Sequence, residues 1–242
     1  MRLQAPPELD RNRHALFLDF DGTFVDFAPE PDAIGLRPGS VDLLAAASRS
    51  LEGALALISG RRIADLDRFL APLELPASGV HGQEFRPAPG DYRLRPPSPQ
   101  LELARSRLRS AVAADDPLLL EDKGGALVLH SRKHPEQRDR ASSLAREAVA
   151  ELSDLHAVEG HAIVEIRQRG VTKAEAIRLF LGYPPFSSRL PVFAGDDTTD
   201  EDGFRAVQKA GGFGIKVGGG ETEAAFRLAG VSEVHAWLAA LT

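Results

Sequence analysis

The sequence predicts an α/β protein, a parallel sheet covered by helices on both faces and interrupted by a smaller α+β insert. Three observations carry this expectation. Short apolar runs such as Ala15-Leu16-Phe17-Leu18 and Ala54-Leu55-Ala56-Leu57-Ile58 each end in a polar, glycine-bearing loop, as buried parallel strands do. Helix-spaced segments separate these runs, and the middle of the chain departs from the alternation.

Taken in order, Ala15 to Leu18 is the first strand, Ser40 to Ser50 a helix with Val41, Leu44 and Ala45 on one face, and residues 54–58 the second strand. Ile63 to Leu70 is the next helix and Ala77 to Val80 a third short strand. Residues 86–99, rich in Pro and Gly, read as a hinge or linker. Then come a helix near Leu101 to Ala113, a strand over Gly125 to His130, a helix near Pro135 to Leu152 and a strand over His161 to Arg167. The alternation resumes with a helix over Lys173 to Leu181, a strand over Leu190 to Ala194, a helix over Asp202 to Ala210 and a strand over Gly212 to Val217. Residues 222–241 close with a helical segment or two. The outcome is a doubly wound parallel-sheet core with an α+β insert between its strands that looks like a cap.

Composition narrows the function classes. With 43% hydrophobic and 26% charged residues over 242 positions, the chain can bury a sizeable core. The absence of cysteine excludes disulfides, thiolate metal sites and thiol catalysis. A formal charge of -6, with no long Lys/Arg block, argues against nucleic acid as a partner. No apolar run is long enough for a membrane span, and Met1 to Arg13 is polar, so a cytoplasmic monomer acting on a small molecule is expected.

Four segments carry chemistry. Asp19-Phe20-Asp21-Gly22-Thr23 follows the first strand directly, at the carboxyl edge where doubly wound sheets bind ligands. Two carboxylates there can divide phosphoryl transfer, with Asp19 attacking phosphorus and Asp21 protonating the leaving oxygen and then activating water. Alone, the segment would equally suit an acidic surface turn. Ser59-Gly60-Arg61 ends the second strand, where the Ser59 hydroxyl and a neighbouring amide can hold a phosphate oxygen, although a simple helix cap looks the same. Lys173 opens a helix after Gly170-Val171-Thr172, at a terminus that favours anions. Finally, Gly195-Asp196-Asp197-Thr198-Thr199-Asp200-Glu201-Asp202 gathers five acidic residues in one loop, where like charges repel unless a cation offsets them. Oxygen donors alone point to Mg2+, with a solvated helix-capping loop as the alternative.

Together these segments resemble the haloacid dehalogenase (HAD) superfamily of phosphotransferases, whose signature is Asp-x-Asp-Gly-Thr, then Ser or Thr, then Lys, then an acidic Gly-Asp-Asp loop. More narrowly, the chain is similar to the trehalose-6-phosphate phosphatase family through Leu57-Ile58-Ser59-Gly60-Arg61, Gly79-Val80-His81-Gly82-Gln83-Glu84, Val164-Glu165-Ile166-Arg167 and the acidic loop through Phe204. Glu121-Asp122-Lys123-Gly124-Gly125 and His130-Ser131-Arg132 match that family's cap segments, while Phe24, Ala174 and Ser131 depart from its usual Leu, Gly and aromatic.

The resemblance implies a HAD-like Rossmannoid core over residues 1–84 and 171–242 with an α+β cap over 85–170, and hydrolysis of trehalose 6-phosphate through an aspartyl-phosphate. It implies Mg2+ on the Asp19 carboxylate, the Asp21 backbone carbonyl and Asp196, with Asp197 and Asp200 in support. Ser59, with Gly60 and Arg61 beside it, and Lys173 would grip the phosphate; Glu121, Lys123, Arg132 and Glu165, with His81, would face the sugar hydroxyls or position the cap. A phosphatase for sucrose phosphate or mannosyl-phosphoglycerate, or a catalytically silent sugar-phosphate binder, remain the alternatives.

Overall fold

The computed structural model describes residues 4–26, 34–112, 116–160 and 162–241. The expected helix end at Ala113 and strand start at His161 lie outside these residues. The chain divides into two compact units, Met1–Leu94 with Thr172–Thr242, and Arg95–Val171.

The larger unit is built on an eight-stranded sheet. Its first strands are β1 (His14–Leu18), β2 (Leu55–Ile58) and β3 (Ala77–Gly79), joined through helices α1 (Ser40–Ser50) and α2 (Ile63–Leu70). The chain then adds β4 (Glu84–Arg86) and β5 (Arg93–Leu94), and returns after the insert as α5 (Lys173–Phe180), β10 (Leu190–Gly195), α6 (Glu201–Lys209), β11 (Phe213–Val217), β12 (Phe226–Leu228) and α7 (Val231–Ala239). The order across the sheet is β12-β11-β10-β1-β2-β3-β4-β5, parallel through β3 and antiparallel for β4 and β5.

Parallel strands need both faces covered, and β1 shows it: Ala15 to Leu18 have no exposed surface. Phe17 stacks on Phe186 and leans on Phe180 of α5, with ring centroids 5.5 and 5.7 Å apart. Its neighbours Leu16 and Leu18 project to the opposite face because strand side chains alternate. From β1 the chain runs outward to β2 and β3, whereas β10, β11 and β12 build on the other side. The gap between the carboxyl ends of β1 and β10 is therefore a topological switch point, the place where such sheets hold ligands.

Three expectations are corrected here. Residues 85–94, read as the start of the insert, belong to the core unit, because β4 hydrogen-bonds onto β3 and β5 onto β4, extending the core sheet. The tail 222–241, read as helical, contains β12, a strand too short for a periodic signal that pairs with β11. The third strand stops at Gly79, because Val80 and His81 turn the chain at positive φ, 46° and 54°.

The insert is an antiparallel sheet with two helices. Its elements are α3 (Gln100–Ala111), β6 (Leu119–Asp122), β7 (Ala126–His130), α4 (Arg138–Val149), β8 (Leu155–Gly160) and β9 (Ile163–Gln168), with strand order β6-β7-β9-β8. Leu127, Leu129, Leu155, Val164 and Ile166 form one apolar cluster with Leu101, Ala104 and Leu108 of α3 and Ala141, Ala145 and Ala148 of α4. One sheet face thus carries both helices. Strands β6 and β8, which sequence periodicity did not reveal, are edge strands whose sequences LLED and LHAVEG mix polar and apolar positions.

Candidate active site

The acidic segment after β1 turns back at once, because Gly22 takes a left-handed φ of 77° and its amide donates to the Val25 carbonyl. Asp19 is left 4% exposed at the switch point, its amide bonded to Ala194 of the neighbouring β10. Lys173 is the first residue of α5, whose N-cap Thr172 accepts from the Glu175 amide at 3.1 Å. From there the Lys173 ammonium reaches Asp19 Oδ1 at 2.7 Å and Asp200 Oδ1 at 2.6 Å.

Asp200 organises the acidic loop. Its Oδ2 accepts from the amides of Asp196 and Asp197 at 3.0 and 2.9 Å while Oδ1 takes Lys173, so both oxygens are engaged and the residue is fully buried. Gly195 makes this fold-back possible: a Cβ there would stand 2.4 Å from Asp200 Cγ. Thr23 closes the constellation, donating to Asp196 Oδ1 at 3.2 Å and lying 3.5 Å from Asp19 Oδ2. A cavity of roughly 320 Å³, lined by Gly22, Asp26, Asp196, Gly218 and Val231 among others, opens beside Asp196.

The electrostatics follow from crowding. Burial, joined by the charges of Asp200 and Asp196 and opposed by Lys173, raises the Asp19 carboxyl well above its ordinary range. Burial and the neighbouring Asp200 push Asp196 up to about 6. Burial alone would lower the Lys173 pKa, but Asp19 and Asp200 outweigh it and raise it. Among the described residues, carboxylate oxygens of Asp19, Asp196 and Asp200 lie within 4.8 Å of one another, an all-oxygen set suited to a hard divalent cation. Since Asp200 spends its oxygens on Lys173 and two amides, Asp19 and Asp196 are the carboxylates with capacity for a metal.

The second strand contributes differently from the expectation. Ser59 is buried and its hydroxyl accepts from the Arg61 amide at 3.1 Å. Arg61 forks onto Asp21, Nε to Oδ2 at 2.7 Å and Nη2 to Oδ1 at 2.8 Å. Asp21, expected as the proton carrier, has both of its oxygens accepting from the guanidinium, because β1 and β2 are adjacent and their carboxyl-end loops meet. The segment through Glu84 has a structural task as well. Glu84 Oε2 accepts from the Ile63 amide at 2.6 Å, capping α2 where Arg62 gives no side-chain cap.

The structure thus gathers Asp19, Lys173 and Asp196 through direct contacts or shared partners, and Ser59, Gly60 and Arg61 beside Asp21. Glu121, Lys123, Arg132 and Glu165 are residues of the insert. Glu121 on β6 pairs with His130 of β7 at 2.8 Å, Glu165 is buried on β9, and Lys123 and Arg132 follow β6 and β7 in loops. Two residues were given no role from the sequence. Thr23 links the two acidic segments, and Lys216, 4% exposed on β11, donates to the Asp196 carbonyl. A lysine inside an otherwise apolar strand, FGIKV, was the available signal for the second.

A Rossmann-like sheet with a lysine-bridged aspartate at its switch point and an acidic loop on the next strand is a core of the HAD fold. A phosphatase of that superfamily from Bacteroides thetaiotaomicron shares the fold, with 18% identity, a TM-score of 0.63 and coverage of 97% of this chain and 96% of that one. The C-terminal domain of Candida albicans trehalose-6-phosphate phosphatase superposes with a TM-score of 0.82, covering 97% of this chain and 98% of that one at 20% identity. The trehalose-phosphatase family model matches residues 17–232, and the Escherichia coli trehalose-6-phosphate phosphatase is 38% identical over 241 residues, 99% of this chain and 90% of that protein. The chain belongs to the trehalose-phosphatase family.

Proposed function

We propose that this protein hydrolyses trehalose 6-phosphate to trehalose and phosphate through an aspartyl-phosphate on Asp19. The observation that carries the reading is Asp19 itself, buried at the switch point with Lys173 at 2.7 Å and Asp196 close by. It is supported by family membership and by the likeness to the E. coli enzyme over nearly the whole chain.

Mg2+ would be held by the Asp19 carboxylate, the Asp21 carbonyl and Asp196, and when bound it supplies charge stabilisation for the transferring phosphoryl group. Lys173 holds Asp19 oriented and faces the same developing charge. The Asp19 oxygen bonds to phosphorus as the bond to the sugar oxygen breaks, and Asp21 gives that oxygen its proton. Asp21 must first leave the Arg61 fork and take up a proton from solvent; an arriving phosphate dianion offers the guanidinium another partner. Asp21 then takes a proton from water as its oxygen attacks phosphorus, breaking the bond to Asp19 and releasing phosphate. Ser59 and the Gly60-Arg61 segment hold the phosphate, and the insert, acting as a cap, reads the sugar through Glu121, Lys123, Arg132 and Glu165.

We further propose a cytoplasmic monomer. Among the described residues no helix is long and apolar enough to cross a membrane. Phosphate release from trehalose 6-phosphate beside sucrose 6-phosphate, mannosyl-phosphoglycerate and simple hexose phosphates tests the substrate. Asp19→Asn should retain the fold and lose at least about a thousandfold in turnover. Equal rates across the panel would overturn the substrate, and an active Asp19→Asn would overturn the covalent route.

A further inference from the structure

The insert contains a buried arginine whose Nε the protein does not satisfy. Arg167 on β9 is 7% exposed, yet its Nε has no hydrogen-bond partner, and its closest carboxylate oxygen, Glu165 Oε2, stands 3.8 Å from Nη1. That distance is an ion pair but not a hydrogen bond. The contrast within the same molecule is Arg86, also buried, whose guanidinium donates to the Leu75 carbonyl at 2.9 Å and to both oxygens of Asp67 at 2.7 Å. Proteins rarely leave a buried donor unused without a reason.

The position of Arg167 supplies one. Val164 and Ile166 lie in the apolar cluster with α3 and α4, so the alternating Glu165 and Arg167 occupy the helix-free face of the sheet. Beside Arg167 in register on β8 is His156, whose Nδ1 is likewise buried without a partner. A planar fork and an imidazole nitrogen thus stand together on the helix-free face, beside an acidic side chain.

We infer that Arg167 is a substrate-binding residue whose guanidinium donates to hydroxyl oxygens of the sugar, completing hydrogen bonds that the protein leaves open. This rests on the reading of the insert as the sugar-recognising unit. A polyol suits the site: its hydroxyls accept from the fork and donate to a carboxylate or an imidazole nitrogen at once. An inorganic phosphate or an aryl phosphate offers no such array.

The test uses the full-length enzyme with Mg2+, and variants Arg167→Lys and Arg167→Gln. Lysine keeps the charge beside Glu165 but removes the planar fork, and glutamine keeps a donor should the lysine variant fold poorly. Thermal unfolding without substrate checks that each variant is folded. Both variants should lose about tenfold or more in kcat/KM for trehalose 6-phosphate, mostly through KM, and less than about twofold for 4-nitrophenyl phosphate. Calorimetric titration with trehalose should show the same loss. Unchanged kinetics on both substrates, or equal losses on both, would overturn the inference and assign the open donors to ordered water or to packing. Wild-type turnover of trehalose 6-phosphate is the separate control: its absence would remove the functional reading itself, whereas an active wild type with indifferent variants removes only the role of Arg167.

Discussion

The Lys173 ammonium stands between two buried carboxylates, 2.7 Å from Asp19 Oδ1 and 2.6 Å from Asp200 Oδ1. One lysine therefore ties the segment after β1, which carries Asp19, to the acidic loop after β10, which carries Asp196 and Asp200.

Lys173→Met tests that double role. It leaves two buried carboxylates without their cation, and breaking a buried pair from one side costs about 3–5 kcal/mol. Urea denaturation of the metal-free protein should show a loss of that order, and phosphate release should fall at least about a hundredfold. A variant of wild-type stability would mean that Asp19 and Asp200 are held by other groups.

Asp21→Asn separates acid catalysis from binding. The substitution keeps the backbone carbonyl and most of the side-chain volume but cannot transfer a proton. Loss of general acid–base catalysis is worth about 10²–10⁴-fold on a sugar phosphate. An aryl phosphate, whose leaving group needs no proton, should show a burst of phenolate close to wild type followed by slow turnover. Equal loss in burst and turnover, measured by stopped flow, would contradict the assignment of Asp21 as the acid.

Cation binding should depend steeply on pH. In the metal-free protein Asp196 is raised to about 6, chiefly by burial and then by Asp200. A raised carboxyl binds protons more tightly folded than unfolded, so its contribution favours the folded state below its ordinary range and is lost as pH climbs to about 6. Divalent cation binding requires the deprotonated forms of Asp196 and of Asp19, which burial also raises, so apparent Mg2+ affinity should fall at least about tenfold per pH unit below about 6. Isothermal titration between pH 5 and 7.5 reads this directly; an affinity independent of pH would remove Asp196 from the site.

Alanine substitutions in the insert should discriminate substrates. Charged hydrogen bonds to sugar hydroxyls are worth ~1.5–3 kcal/mol, so Glu121→Ala, Lys123→Ala and Arg132→Ala should each lower kcat/KM for trehalose 6-phosphate by roughly ten- to a hundredfold. An aryl phosphate should lose far less. Uniform losses on both substrates would place these residues in folding of the insert.

Much of the core was legible because its signals are local. Ser40–Ser50 and Ile63–Leu70 are helices with the residues expected, since each repeats apolar side chains at helical spacing. The chemistry-bearing segments were legible for the same reason: Asp19-Phe20-Asp21-Gly22-Thr23 and the acidic loop each sit at the end of an apolar strand that announces itself. Strands β5 and β12 were not, because two or three residues contain no period and their pairing partners lie elsewhere in the chain.

By itself the sequence determined the fold class, the order of the four motifs and the oxygen-only donor set, all of which follow from residue type and near-neighbour spacing. Only the tertiary structure decided who holds whom. Lys173 meets Asp19 across 154 positions and Arg61 meets Asp21 across 40, contacts that depend on strand order and not on local pattern. Nor does spacing tell a satisfied buried arginine such as Arg86 from an unsatisfied one such as Arg167, because hydrogen-bond completion is set by where carbonyls and carboxylates arrive after folding.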